Sequence, residues 1–175
     1  NIPRSGSIQE HPASGSFDSA SASDPFDPTP EVARAQWLRT SALRSAVEAL
    51  TAAMGRDPFN VGLPRRRANL YLDLAQSTGD DGDYLAAVDD CRLALELYPL
   101  NPAGLVSLAD YQTTAGEALK SEKLLREALT NYERGIELDN QRLSWETLHR
   151  MREGEKDEIR ARIWRLRERI KELVP

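Results

Sequence analysis

The chain has 175 residues, a hydrophobic content of 40% and a formal net charge of −5. That size and apolar content suffice for one folded domain or one short repeat array. Residues 1–140 carry 13 basic and 21 acidic side chains, whereas residues 141–175 carry 10 and 7. An acidic body argues against a platform that neutralises phosphates, so nucleic acid is not expected as a partner.

The sequence predicts no membrane-spanning segment, because no run of 18 or more apolar residues occurs in it. Its N-terminus also lacks the charged, apolar and small-residue order of a signal peptide. The chain begins with Asn1 and not Met, which indicates a processed protein or a piece of a longer one. A membrane anchor or an enzyme domain elsewhere in a longer chain is compatible with this reading.

Residues 1–28 are rich in Ser, Pro and Asp and contain only isolated apolar side chains such as Phe17 and Phe26. Such a segment buries too little apolar surface to offset the entropy of an ordered chain. We therefore expect a disordered tail or linker over residues 1–28.

Helical periodicity begins at Thr29-Pro30-Glu31. A capping threonine, a proline at the first helical position and an acid near the positive end of the helix dipole are typical of a helix start. Apolar residues at helical spacing predict a helix over about 30–54, closed by Gly55 and Pro58. The sequence leaves open whether this stretch is one helix or a hairpin.

Two further helices are predicted in the next segment. Pro64 opens the first, and the glycine- and aspartate-rich residues 77–83 form a turn between antiparallel helices. The second helix runs from Tyr84 to Tyr98 and ends before Pro99.

The same pattern recurs from Pro102, where a helix leads to Gly116. A longer helix from about 117 to 138 follows and ends at Asp139-Asn140. No alternating pattern of useful length for a strand appears, so the predicted fold class is all-α.

Three segments end with the same order of a small residue, a large residue, a small residue and a Pro or Asn. Each set has spacings of 4, 3 and 5 residues: Ala46, Leu50, Ala53 and Pro58; Ala87, Cys91, Ala94 and Pro99; Ala128, Tyr132, Gly135 and Asn140. Small residues let neighbouring helices approach closely. At these positions the sequence resembles the second helix of the tetratricopeptide repeat family.

The first helices of that family also have counterparts here. The matching packing positions are Ala68, Tyr71, Leu72 and Ala75, then Leu105, Leu108, Ala109 and Gln112, each set followed by a glycine, Gly82 or Gly116. The resemblance implies antiparallel helical hairpins, about two and a half repeats, in a domain over residues 29–140. About three extra residues at Gly79-Asp80-Asp81 and seven between Gly116 and Ala128 predict a third hairpin that projects beyond its neighbours.

Residues 141–175 are expected to close the array. After Gly154, the spacing of Ile159, Ile163, Leu166, Ile170 and Leu173 predicts a strongly amphipathic helix. We expect it to cap the last hairpin, since two heptads are too few for an isolated coiled coil. A homodimer through residues 155–175 is the alternative.

No catalytic residue, metal ligand or cofactor site is predicted. His11 and His149 have no plausible metal partner, and Asp80, Asp81 and Asp83 lack the later ligands of a calcium loop. The lone Cys91 lies on an apolar helical stripe, which indicates core packing. The chain also lacks a glycine-rich phosphate loop and a nucleophile elbow.

The resemblance implies a concave groove lined by first helices, which could hold a peptide. Its candidate residues are Arg66, Asn69, Asp73, Gln76, Val106, Asp110 and Thr113. Some family members bind partner carboxylates there with Lys, Asn and Arg, but this chain has Asp73, Val106 and Asp110 in that region. The expected groove is therefore acidic and suited to a basic or neutral segment.

The sequence thus predicts a non-catalytic protein-interaction or scaffolding module with a protein or peptide partner. One alternative is a soluble appendage of a larger membrane protein, because residues 132–139 and 158–163 resemble the repeat-bearing tail of bacterial O-antigen ligase or polymerase-like proteins. Another alternative is a self-assembly domain that acts through the terminal helix.

Overall fold

The computed structural model describes residues 29–141 and 150–173. These residues form α1 (Pro30–Arg56), α2 (Gly62–Thr78), α3 (Asp81–Leu97), α4 (Pro102–Ala118), α5 (Glu122–Gln141) and α6 (Glu153–Leu173). The described part of the chain contains no strand, so the all-α class is confirmed. Consecutive helices pack on one another, and α2 with α3 and α4 with α5 form two helical hairpins. The tail predicted for residues 1–28 lies outside the described residues.

The first predicted helix is a single helix of 27 residues, which settles whether that stretch forms one helix or a hairpin. The Thr29 hydroxyl accepts a hydrogen bond from the Val32 N–H at 3.4 Å, and Pro30 is the first helical residue. Only Val47 is buried in α1. The N-terminal half of this helix therefore projects from the array and does not pack in the core.

The turn between α2 and α3 is shorter than predicted. Gly79 has a left-handed φ of 72°, which a residue with a side chain rarely adopts, and its N–H donates to the Ala75 carbonyl. The Asp80 carboxylate then accepts from the Gly82 N–H at 2.7 Å and caps α3. Because of this cap, α3 begins at Asp81 and not at Tyr84, and Gly82 lies in its first turn.

Gly116 does not lie in a turn, contrary to the prediction. It is a buried residue of α4, and α5 begins only at Glu122. A Cβ atom at Gly116 would lie 2.6 Å from Leu125 Cδ2 and 3.2 Å from the Leu125 backbone nitrogen. The glycine is therefore needed for the close approach of α4 to α5, and the chain turns at residues 119–121.

Correct placement of Gly116 also removes the predicted difference in length between the two hairpins. Ala46, Ala87 and Ala128 are each 41 residues apart, and so are Ala75 and Gly116. Helices α2, α3 and α4 have 17 residues each and α5 has 20. Because the two hairpins share one repeat length, the prediction that the third hairpin projects beyond its neighbours is wrong.

Two hydrophobic clusters form the core. One joins α2 and α3 to the next hairpin and contains Ala68, Val88, Cys91, Leu108, Ala115 and Leu124. The other joins α4, α5 and α6 and contains Ala109, Leu125, Ala128, Tyr132, Ile159, Ile163, Leu166 and Ile170. The second helix of each hairpin thus packs against the following helix, α3 against α4 and α5 against α6, so α6 covers the last hairpin.

The apolar seam of α6 is used for the cap. Ile159, Ile163, Leu166 and Ile170 are buried against the last hairpin, as expected for a capping helix. These side chains are therefore not free to pair with a second copy, and a homodimer through the seam itself, the alternative stated above, does not fit this packing.

A buried ion pair fixes the start of α6. Lys156 Nζ lies 3.0 Å from Asp139 Oδ2, and both side chains are almost fully buried. Lys156 also donates to Asn140 Oδ1 at 2.8 Å, while Asp139 Oδ1 accepts from the Met151 N–H at 2.9 Å. These contacts hold the end of α5 to the beginning of α6.

A second buried pair joins the first three helices. Arg67 donates from two nitrogens to the two carboxylate oxygens of Asp90 at 2.7 and 2.6 Å, and from Nη1 to the Thr51 hydroxyl at 2.8 Å. Its guanidinium also lies 5.9 Å from the ring centroid of Tyr71. One arginine thereby links α1, α2 and α3.

We predict that Gly116→Ala lowers the free energy of unfolding by about 1–3 kcal/mol, because the added methyl group overlaps Leu125. Gly55→Ala is the matched control, since nothing lies within 4 Å of a Cβ atom there. The control should be neutral or stabilising by up to about 1 kcal/mol. Urea unfolding followed by circular dichroism measures both, and equal effects would contradict the close approach at Gly116.

We also predict that Lys156→Met lowers the free energy of unfolding by about 3–5 kcal/mol, because it leaves the Asp139 carboxylate buried without its cation. Adding Asp139→Asn should recover part of the loss, since the amide oxygen still accepts from the Met151 N–H. The same urea titrations test this pair. A double variant as unstable as the sum of the single variants would show that the two side chains act independently.

Candidate functional site

Four predicted groove residues lie on α2. Arg66, Asn69 and Gln76 are exposed, whereas Asp73 is half-buried. Asn69 Oδ1 accepts a hydrogen bond from the Tyr111 hydroxyl of α4. This contact ties the exposed surface of α2 to the next first helix.

The three predicted residues on α4 have different roles. Val106 is half-buried and packs against the cluster of α4, α5 and α6, with its Cγ2 atom near Gly135. Asp110 and Thr113 instead line an open cleft of about 310 Å³ between α4 and α6. The full lining is Asp110, Thr113, Thr114, Glu117, Tyr132, Arg162, Arg165 and Leu166.

Asp110 is the centre of a hydrogen-bonded group in this cleft. Its Oδ1 atom accepts from Arg162 Nη1 at 2.6 Å and from the Tyr132 hydroxyl. Burial raises the pKa of Tyr132 to about 12, and the hydrogen bond to Asp110 acts in the same direction. The phenol is therefore a neutral donor to the carboxylate over the physiological pH range.

The cleft is mixed in charge and not acidic as the sequence suggested. Arg162 and Arg165 of α6 face Asp110 and Glu117 of α4. Sequence reasoning missed both arginines because it considered α6 as a cap or a dimer helix and not as a wall of the groove. The signal for them was their position beside the apolar seam, at Arg162 next to Ile163 and Arg165 next to Leu166.

Tyr111 of α4 lies next to Asp110 in the sequence and contacts Asn69 of α2. Burial raises the pKa of Tyr111 to about 12, and the negative charges of Asp73 and Asp110 contribute to the increase. The two aspartates thus act on the same phenol. Asn69 and Asp73 are therefore electrostatic neighbours of the cleft, although they do not line it.

Within residues 29–141 and 150–173, no group of three or more His, Cys, Asp or Glu side chains could hold a metal ion. His11 and His149 lie outside this part of the chain. Cys91 is buried, and desolvation raises the pKa of its thiol to about 12. This places Cys91 in the core and far from the ionisation that a nucleophile needs.

No helix among the described residues is both long and apolar enough to cross a bilayer.

Comparison with solved structures finds 14 matching chains, whereas comparison by sequence finds no relative among curated proteins. One match is the first TPR of Spaghetti (RPAP3) bound to the HSP90 peptide SRMEEVD, with 24% identity, a TM-score of 0.44, and coverage of 73% of this chain and 85% of that chain. Another is the DHF58 filament, with 25% identity, a TM-score of 0.37, and coverage of 81% and 69%.

No protein-family model matches the sequence, and no curated protein matches it. The resemblance to the tail of O-antigen ligase-like proteins gains no support from these comparisons.

We predict that iodoacetamide at about pH 8 alkylates Cys91 at least ~100-fold more slowly in the folded chain than in concentrated urea, because the folded thiol is buried and protonated. Mass spectrometry of timed samples measures both rates. Similar rates in the two conditions would contradict the core position of Cys91.

Proposed function

We propose that this chain is a protein-interaction module without a catalytic role, and that it binds an extended peptide segment in the cleft between α4 and α6. The cleft carries the proposal, because it is an open concavity whose walls come from two first-type helices. The neighbouring α2 residues Arg66, Asn69, Asp73 and Gln76 extend the proposed surface.

Fixed side chains support binding with little loss of conformational freedom. Arg162 and Tyr132 hold the Asp110 carboxylate in place. The hydroxyls of Thr113 and Thr114 donate to the carbonyls of Ala109 and Asp110 at 2.8 and 3.1 Å. Each hydroxyl oxygen keeps acceptor capacity for a ligand N–H, and side chains that are already ordered reduce the entropic cost of binding.

The charge distribution indicates the class of peptide. Arg162 neutralises Asp110 at one side of the cleft, while Glu117 is exposed and Arg165 donates from Nε to the Ala161 carbonyl at 3.4 Å. Neither Glu117 nor Arg165 makes an ion pair with another residue of 29–141 or 150–173, so both charges are accessible to a ligand. A segment that carries both a basic and an acidic side chain fits this pattern better than the purely basic or neutral segment expected from sequence.

Selection from a random peptide library displayed on phage, with the full chain as bait, tests the proposal. Glu117→Arg reverses a charge in the cleft, and Glu96→Arg makes the same change on exposed α3, outside the cleft. Selected peptides should bind the chain and the Glu96→Arg variant equally, and should bind Glu117→Arg about tenfold more weakly.

Fluorescence anisotropy of the labelled peptides measures the dissociation constants. Peptides whose affinity is unaffected by Glu117→Arg, or equally reduced by both variants, would place binding elsewhere. Asp110 is unsuitable for this test, because its substitution also removes the contacts to Arg162 and Tyr132.

A further inference from the structure

Helix α6 exposes a second face on the side away from its buried seam. Trp164 lies at the middle of this helix and is 64% exposed. The same face carries charged residues on both sides of the tryptophan, at Asp157, Arg160, Glu168 and Lys171. We call these five residues the Trp164 face.

The charges of the Trp164 face are arranged symmetrically with opposite signs. Asp157 and Lys171 are each seven positions from Trp164, and Arg160 and Glu168 are each four positions away. In two antiparallel copies related by a twofold axis at Trp164, every one of these charges therefore meets an opposite charge.

We propose that two copies of this chain associate through their Trp164 faces, antiparallel and related by a twofold axis. Asp157 of one copy pairs with Lys171 of the other, and Arg160 pairs with Glu168. A parallel arrangement would place each charge against its own copy and is disfavoured. This interface differs from the seam considered from sequence, because the seam is buried within each chain.

An open, partly apolar groove beside Trp164 also favours a second copy of the chain as the partner. The groove lies between α5 and α6, has a volume of about 620 Å³, and is lined by Leu129, Trp164 and Ile170 together with charged side chains. Leu129 occupies the repeat position of Val88, 41 residues earlier. Val88 is only 1% exposed because the following helices cover it, whereas Leu129 is half-buried.

Neighbouring helices thus cover the side chain of Val88, whereas the equivalent side chain of Leu129 is partly exposed. The partner's Trp164 would cover it and remove two tryptophan side chains from water. Aromatic residues at the centre of an interface commonly dominate its binding energy.

The charged side chains of the Trp164 face are accessible to a partner. Arg160 pairs with Asp157 at 2.7 Å, and Lys171 pairs with Glu168 at 2.7 Å, all within α6. These side chains are about half or more exposed, and exposed pairs of this kind contribute little to stability. On association, these side chains can form networks of four charged groups, two from each copy.

Sedimentation equilibrium of the full chain over a range of concentrations tests the proposal. We expect a dimer with a micromolar dissociation constant, and at least a ~tenfold loss of association in Trp164→Ala. Trp37→Ala is the matched control, because Trp37 of α1 is 67% exposed. The control should associate like the unchanged protein.

Charge exchange tests the antiparallel register. Asp157→Lys and Lys171→Asp should each weaken association about tenfold, because each brings like charges together across the interface. The double variant should recover it, and an equimolar mixture of the two single variants should form a heterodimer. Residues 157 and 171 are about 21 Å apart along one helix, so the recovery cannot arise within one chain.

A chain that stays monomeric at millimolar concentration would overturn the proposal. So would a dimer that Trp164→Ala leaves intact, a dimer that only Trp37→Ala disrupts, or a double charge variant as weak as the single variants. Circular dichroism of each variant confirms that the helices are retained.

Discussion

Close approach of neighbouring helices at small residues sets the spacing of the whole array. A Cβ atom at Gly135 would lie 3.1 Å from Val106 Cγ2 and 3.3 Å from the Pro102 carbonyl oxygen, and one at Gly116 would overlap Leu125. Larger side chains at these crossings would push α4 and α5 apart. Because the small residues recur every 41 positions, each hairpin presents the same surface to the next.

Buried ion pairs fix the position of one helix along its neighbour. Apolar contacts alone tolerate small shifts of one helix along another, whereas a buried carboxylate needs its cation in one place. Arg67 and Asp90 meet this need between α2 and α3, and Lys156 and Asp139 meet it between α5 and α6. The second pair decides where α6 lies, and the cleft depends on it, since α6 supplies one wall.

Three sides of α6 contribute to the core and to the two proposed interactions. Its buried seam completes the core, its Arg162 side neutralises Asp110 in the cleft, and its Trp164 face points away from both. Association through the Trp164 face would leave the cleft open in each copy. Peptide binding and self-association are therefore separable by substitution, and a dimer would offer two clefts to one partner.

The sequence by itself determined the all-α class, the three second helices with their small residues, the caps at Thr29 and the core position of Cys91, because periodicity and capping are local properties. Turns were less predictable. A glycine is expected both in turns and where two helices cross closely, so the sequence does not tell which applies to Gly116. Its close contact with Leu125 shows that it lies at a helix crossing. Asp110 and Thr113 were predicted at the site, but Arg162 reaches Asp110 across 52 residues. Such a contact depends on where α6 packs, so only the tertiary structure decided that the cleft is mixed in charge.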